Sequence, residues 1–394
     1  MAEWIVTSLE ECTDVLGDGL HGTPQYTENG EYAFVNGNNL VEGEILIKKE
    51  TKRVDYSQYE KYKKPLTDRT ILVSINGTLG NVGVYDSEKI ILGKSACYFN
   101  VKQSVDKDFI YYVVSSPVFR QYLENNATGT TIKNISLKQM REYTFSIPQI
   151  DEQKRISSVL RMIDEKIKNN KAINNNLEQQ AQAYFDELFV VNANPNWSEC
   201  TLSDIGSVVA GGTPSKSKPE YYTDQGIAWI TPKDLSVNKS KFISHGENDI
   251  SEFGFSKSSA TKMPAGTILF SSRAPIGYIA IAQNEVTTNQ GFKSIIPNEN
   301  ISTAYVYFLL KNLLPTIEGM ASGSTFKEIS GAAMKSVPTV MPDTDTIQLF
   351  SGFCEPVFKE QEILEAENQH LSALRDSLLP KLMSREIDVS EIKF

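Results

Sequence analysis

Cysteine and histidine are both scarce in this 394-residue chain, with four Cys and three His. Cys12, Cys97, Cys200 and Cys354 lie far apart, without metal-ligand spacing, so they read as incidental thiols in a reducing compartment. His21, His245 and His370 are isolated, and none stands beside a nucleophile that would suggest a hydrolytic triad. No run of about 18 apolar residues occurs, and the start MAEWIVTSLEEC lacks a basic region followed by an apolar core. The expectation is a soluble cytoplasmic protein with no membrane partner. Positive charge is in deficit as well, with a net charge of −10, an unfavourable balance for holding nucleic acid unaided. That deficit is local. Residues 1–150 carry 16 basic and 19 acidic side chains, and residues 191–342 carry 12 of each. Residues 343–394 carry 5 basic against 11 acidic. The two large segments are therefore nearly balanced, and positive patches on them remain possible.

What the chain does have is a duplication. Gly129-Thr130-Thr131-Ile132-Lys133-Asn134-Ile135-Ser136 returns 194 residues later as Gly323-Ser324-Thr325-Phe326-Lys327-Glu328-Ile329-Ser330. Ile71-Leu72-Val73-Ser74…Gly80 returns as Ile268-Leu269-Phe270-Ser271…Gly277, Trp4…Leu9 as Trp197…Leu202, and Gly22-Thr23-Pro24 as Gly212-Thr213-Pro214. A period this long marks whole domains, not a solenoid. Each copy opens with short β-rich runs between turn signals, among them Thr70–Ile75, Ala96–Val101, Ile227–Ile230 and Ile279–Ala282. Helices are expected over Phe109–Asn125 and Thr303–Leu314. The fold class is α/β (α+β), two related mixed-sheet domains.

Each copy ends in a heptad helix. Ile156, Leu160, Ile163, Ile167, Asn170, Asn174, Leu177, Ala181, Tyr184 and Leu188 form one seam. Phe350, Cys354, Val357, Gln361, Leu364, Asn368, Leu371, Arg375, Leu378 and Leu382 form the other, every position offset by 194. Two readings fit: each helix packs on its own domain, or the two form an antiparallel coiled coil. In a symmetric pair Asn170 would face Asn368 and Asn174 would lie near Leu364, buried Asn fixing register. The span from Ile156 to Leu188 is about 50 Å, longer than one turn of B-DNA. The division expected is 1–150, a first domain; 151–190, a central spacer helix; 191–342, a second domain; and 343–394, a second spacer helix and tail.

Order, duplication and heptad helices together resemble the specificity subunit of Type I restriction-modification systems across essentially the whole chain. The motifs that carry the resemblance are Trp197…Leu202-Ser203-Asp204-Ile205…Gly211-Gly212-Thr213-Pro214, the paired Gly-Ser/Thr-Thr-x-Lys-x-Ile-Ser segments, and Ile147-Pro148…Glu152-Gln153 at the helix entry. The second helix departs from the pattern, entering through Asp343–Ile347 without Glu-Gln. The resemblance implies two target recognition domains, each reading half of a bipartite double-stranded DNA site, with helices that set the gap and dock two methyltransferase subunits. It implies restriction subunits as further partners. No cofactor is expected on this chain, while S-adenosylmethionine, ATP and Mg2+ would be used by the partners.

No active site of the chain's own is expected. Asn194-Pro195-Asn196-Trp197 lacks the second proline of an adenine methyltransferase motif and reads as a linker turn. Gly93-Lys94-Ser95 imitates the end of a P-loop, but Glu88 stands where its first glycine is needed. Pro342-Asp343 and Glu391-Ile392-Lys393 do not make a nuclease centre. The remaining chemistry is DNA contact, which needs cations for phosphates and planar groups for bases. The densest candidate is Lys48, Lys49, Lys52 and Arg53 followed by Lys61, Lys63 and Lys64, interleaved with Tyr56, Tyr59 and Tyr62. In the second domain the candidates are Lys216, Lys218, Lys233, Lys239 and Lys241, with Arg273 its only arginine. Lys133 and Lys327 either hold phosphate or serve helix entry. Two rival functions remain, a self-sufficient DNA-modifying enzyme and a coiled-coil protein-binding adaptor.

Overall fold

A computed structural model of the chain describes residues 4–323 and 327–389. It divides into two compact units, one built from residues up to Ile167 and from His370 onward, the other from Lys168–Gln369. Ser324, Thr325 and Phe326 of the second repeat motif, and Glu391 to Lys393, lie outside the described residues.

The first unit is built on a four-stranded antiparallel sheet in the order Thr13–Asp18, Ala96–Val101, Thr70–Ser74, Val82–Val84. Its central strands are buried on both faces, which is why Thr70-Ile71-Leu72-Val73-Ser74 reads as an unbroken β-prone run. Ile71, Val73, Cys97 and Phe99 face one core with Phe109 and Val113 of the helix Lys107–Ser115. Leu72 and Tyr98 face a second core with Val35 and Leu92 of a small mixed sheet, Arg53–Val54, Tyr32–Val35, Ile90–Leu92. The helix expected over Phe109–Asn125 is two helices, Lys107–Ser115 and Pro117–Asn126. Ser116 adopts an extended backbone and its hydroxyl caps the Phe119 amide, while Pro117, which lacks an N–H, takes the first turn.

The second unit repeats the plan: Gly206–Ala210, Lys293–Pro297, Ile268–Ser272, Ile276–Ala282, with Phe242–Ile243 added in parallel at the edge. Ile268 and Phe270 face the helix Thr303–Met320, and Leu269 faces the second core with Ile230 and Phe292. That helix continues through Pro315, beyond the expected Leu314.

Each domain closes by pairing its first and last strands, Ile5–Ser8 with Thr144–Ile147 and Ser198–Thr201 with Pro338–Met341. The long helices Ile150–Asp186 and Thr344–Met383 start immediately after. The Trp4 indole donates to Glu152 Oε1 at 3.1 Å, and the buried Gln153 amide accepts from the Asp106 amide at 2.9 Å. In the second copy Asp343 replaces this pair. It accepts from the Trp197 indole at 2.8 Å and caps the Thr346 amide at 2.8 Å.

Within each unit the long-helix segments pair antiparallel, partner numbers falling as residue numbers rise. In the first unit Ile156 and Leu160 share a core with Leu379, Leu382 and Val389, and the half-buried Leu378 packs against it. Arg375, at a heptad core position, donates to Asp164 at 2.9 Å. In the second, Ala181 and Phe185 share a core with Phe350 and Cys354, against which Leu188 and Val357 pack. Ile167 and Leu364 are buried; Ile163, Asn174, Leu177, Asn368 and Leu371 are half-buried. Asn170 donates to Glu367 at 2.7 Å and Asn174 to Glu365 at 3.3 Å, each one residue from the partner expected from symmetry. No described helix is long and apolar enough to cross a membrane.

Candidate nucleic-acid interface

In the first unit the basic and tyrosine-rich stretch folds against the edge of the small sheet. Arg53 pairs with the strand carrying Tyr32, and Asp55 caps the helix Tyr56–Tyr62 by accepting from the Gln58 amide. Tyr59 stacks on Tyr32 at 4.0 Å, Lys52 lies 4.6 Å over the Tyr26 ring, and Lys61 lies 5.1 Å over Tyr62. These contacts place Lys52, Arg53, Lys61 and Lys63 on one cationic, aromatic surface. Lys48 and Lys49 stand on the turn before it, exposed and without an ion pair among the described residues, and Lys64 follows the helix. Two of the group are already engaged: Lys63 pairs with Glu60 at 2.9 Å, and the Arg53 guanidinium reaches the Gly30 and Glu31 carbonyls at 3.5 Å.

Lys133 lies on a separate element, a hairpin closed by Thr128 and Asn134, where it is exposed. Its carbonyl accepts from the Gly77 amide at 3.0 Å, tying the hairpin to the turn after the strand Thr70–Ser74. Gly129 closes the hairpin at φ 93°, where a Cβ would meet the Ile132 carbonyl. Lys327 is exposed at the matching position of the second unit.

The second unit is more neutralised. Lys218 pairs with Glu220 at 3.7 Å and Lys233 with Glu247 at 2.6 Å, and Lys216 is exposed and unpaired among the described residues. Arg273 pairs with Glu328 at 3.3 Å, and the buried Lys293 stands 3.8 Å from the same carboxylate. Lys241 does not belong to a DNA-facing surface. Its side chain is 6% exposed, paired with Glu178 and 4.0 Å over the Phe358 ring. Burial pushes its ammonium below the ordinary lysine value, with Glu178 opposing. Burial alone would raise Glu178, but Lys241 and Lys311 hold it below the usual carboxylate range. This buried cation escaped sequence reasoning because it follows Lys233 and Lys239 in a polar run; its one signal was the apolar Phe242-Ile243 beside it.

The motif glycines differ in weight. A Cβ on Gly212 would meet the Ala260 amide at 2.4 Å, and its carbonyl accepts from the buried Trp229 indole at 3.0 Å. Gly22, its counterpart, has open space around it. Asn194 and Trp197 close a turn by backbone hydrogen bonding, and Ser95 of the P-loop look-alike bonds Asn36 and the Gly37 amide. Cys12, Cys97 and Cys354 are buried. Among the described residues no cluster of three or more His, Cys, Asp or Glu is placed to hold a metal.

Two duplicated sheets on paired helices, each with its own exposed cations, are the setting for comparison with known proteins. The family model described as "Type I restriction modification DNA specificity domain" matches residues 1–179 and again residues 194–372. The chain belongs to this family. The Type I restriction enzyme MjaIX specificity subunit of Methanocaldococcus jannaschii is 38% identical over 46% of this chain and 44% of its own length. The chain thus aligns with less than half of that relative. The HindI specificity subunit of Haemophilus influenzae is 24% identical over 71% of this chain and 77% of its own. The crystal structure of the Type I system S subunit from M. genitalium shares the fold, with a TM-score of 0.59 and 22% identity over 97% of this chain and 96% of that one. The chain carries the specificity domain twice, and the relatives it resembles are named as specificity subunits.

Proposed function

We propose that each specificity domain reads one half of a bipartite DNA sequence, and that the long helices set the unread gap and dock two methyltransferase subunits. The observation that carries this reading is the duplication itself. One sheet order occurs twice, each time followed directly by a long helix, while the exposed side chains differ between copies. Similar scaffolds with different surfaces suit two different half-sites. The chain supplies recognition. S-adenosylmethionine is used by the methyltransferase partners, and ATP and Mg2+ by restriction subunits. Partners that share the grip on DNA explain why a net charge of −10 is tolerable. In the first domain the cationic, aromatic surface from Lys48 to Lys64 follows the phosphate backbone; in the second Lys216, Lys218, Lys233, Arg273 and Lys327 are the candidates.

The deciding experiment is a base-resolution methylome of cells carrying the methyltransferase subunit, with and without this chain. A split adenine motif that appears only with the chain is the expected result. Unchanged methylation with the partner expressed and bound would favour an adaptor instead. Methyl transfer by the purified chain alone would make it an enzyme. Inserting four residues into either long helix is expected to lengthen the preferred gap or abolish binding; an unchanged gap at full activity would remove the helices as a ruler.

A further inference from the structure

The two domains present different side chains at one conserved turn, and both are suited to reading a base. The strands Thr70–Ser74 and Ile268–Ser272 each lead into a turn that returns antiparallel, to Val82–Val84 and Ile276–Ala282. The turns correspond residue by residue. Gly77 and Ala274 have φ of 78° and 52°, and Gly80 and Gly277 have φ of 77° and 96°. The Ile135 amide donates to the Ile75 carbonyl at 2.9 Å, and the Ile329 amide to the Ser272 carbonyl at 3.1 Å. Asn76 then bridges to Asn134, and Arg273 to Glu328. The backbone is kept while the side chain changes from amide to guanidinium.

Each of these side chains is held from behind by the residue it bridges. Asn76 Nδ2 donates to Asn134 Oδ1 at 3.1 Å, leaving its Oδ1 and second amide hydrogen without a partner among the described residues. That acceptor and donor match the N6 and N7 edge of adenine. Arg273 uses Nη1 on Glu328 Oε2 at 3.3 Å, which leaves Nε and Nη2, the fork that matches O6 and N7 of guanine. Lys293, buried behind Glu328, keeps that carboxylate neutralised when the guanidinium turns to a base. Exposed Lys133 and Lys327, each next in sequence to the holding residue, are placed for a neighbouring phosphate.

We propose that positions 76 and 273 are equivalent base-reading positions, Asn76 on an adenine and Arg273 on a guanine, with Asn134 and Glu328 as positioning residues. This rests on the half-site reading above, and the test separates the two. Methylomes are compared for the wild type, Arg273→Lys and Asn76→Ser, each full chain expressed with the methyltransferase subunit. Absence of a split motif in the wild type sinks the half-site reading itself. Given the motif, Arg273→Lys should relax one guanine of one half-site and Asn76→Ser one adenine of the other, with the gap unchanged. Binding of the assembled complexes to a randomised duplex library should show roughly ten- to hundredfold lost discrimination at that one position. An unchanged motif overturns the proposal. So does uniform loss over all sequences with a smaller salt slope, which marks a phosphate contact. Glu328→Asp guards against misfolding, because it keeps the Arg273 charge and a carboxylate for the buried Lys293 while drawing back from the guanidinium. It should weaken discrimination at the same guanine without changing the salt slope, and undiminished discrimination overturns the positioning role.

Discussion

Where the domain helix meets the long helices, the two units solve one packing problem with opposite chemistry. In the first, Tyr112 donates to Asp164 at 2.7 Å, and Arg375 completes the carboxylate. Counted from the helix N-caps Asp106 and Ser302, Tyr112 corresponds to Phe308, and the offset of 194 carries Asp164 to Phe358; in the second unit these two ring centroids lie 6.1 Å apart. The second unit carries its buried charge elsewhere: Glu178 accepts from Lys311 at 2.5 Å and Tyr307 at 3.2 Å, and pairs with Lys241. A polar and an apolar contact are interchangeable at one place in the fold provided each is complete. Left half-made, either one is costly.

Glu178→Gln breaks the arrangement most severely, because it removes the carboxylate paired with the buried Lys241. A loss of about 3–5 kcal/mol is expected by chemical denaturation, confined to the second unit. Adding Phe358→Asp should recover part of it, since Lys241 lies over that ring at 4.0 Å. Tyr112→Phe is milder: Asp164 keeps Arg375, so about 1–2 kcal/mol is expected in the first unit, and a larger loss would mean the hydroxyl holds more than this hydrogen bond. Lys233→Ala removes an exposed pair and should change stability by less than about 1 kcal/mol, so a larger shift would contradict its placement at the surface.

The duplication, the central strands and the heptad frame were legible because each writes a period into the sequence. Thr70–Ser74 is β-prone throughout because both its faces are covered, and Ile156, Leu160 and Leu382 keep heptad spacing because they are buried. The break at Ser116 was not legible as such, since Pro117 suits a helix start as well as an interruption. Pairs distant in sequence were invisible too. Arg273 and Glu328 are 55 residues apart, and nothing local in either segment names the other. Lys241 was misplaced for the same reason: its counter-charge lies on a helix from the other end of the repeat.

The core of the first unit contains Leu379, Leu382 and Val389, whereas the second is drawn from the uninterrupted stretch Lys168–Gln369. During synthesis the leading domain must therefore wait. About 200 residues separate its two parts, roughly 10–40 s at ordinary elongation rates. The later domain has all its parts first. Order of assembly thus runs against order of translation, and a chain truncated before Leu379 would damage the domain at its opposite end.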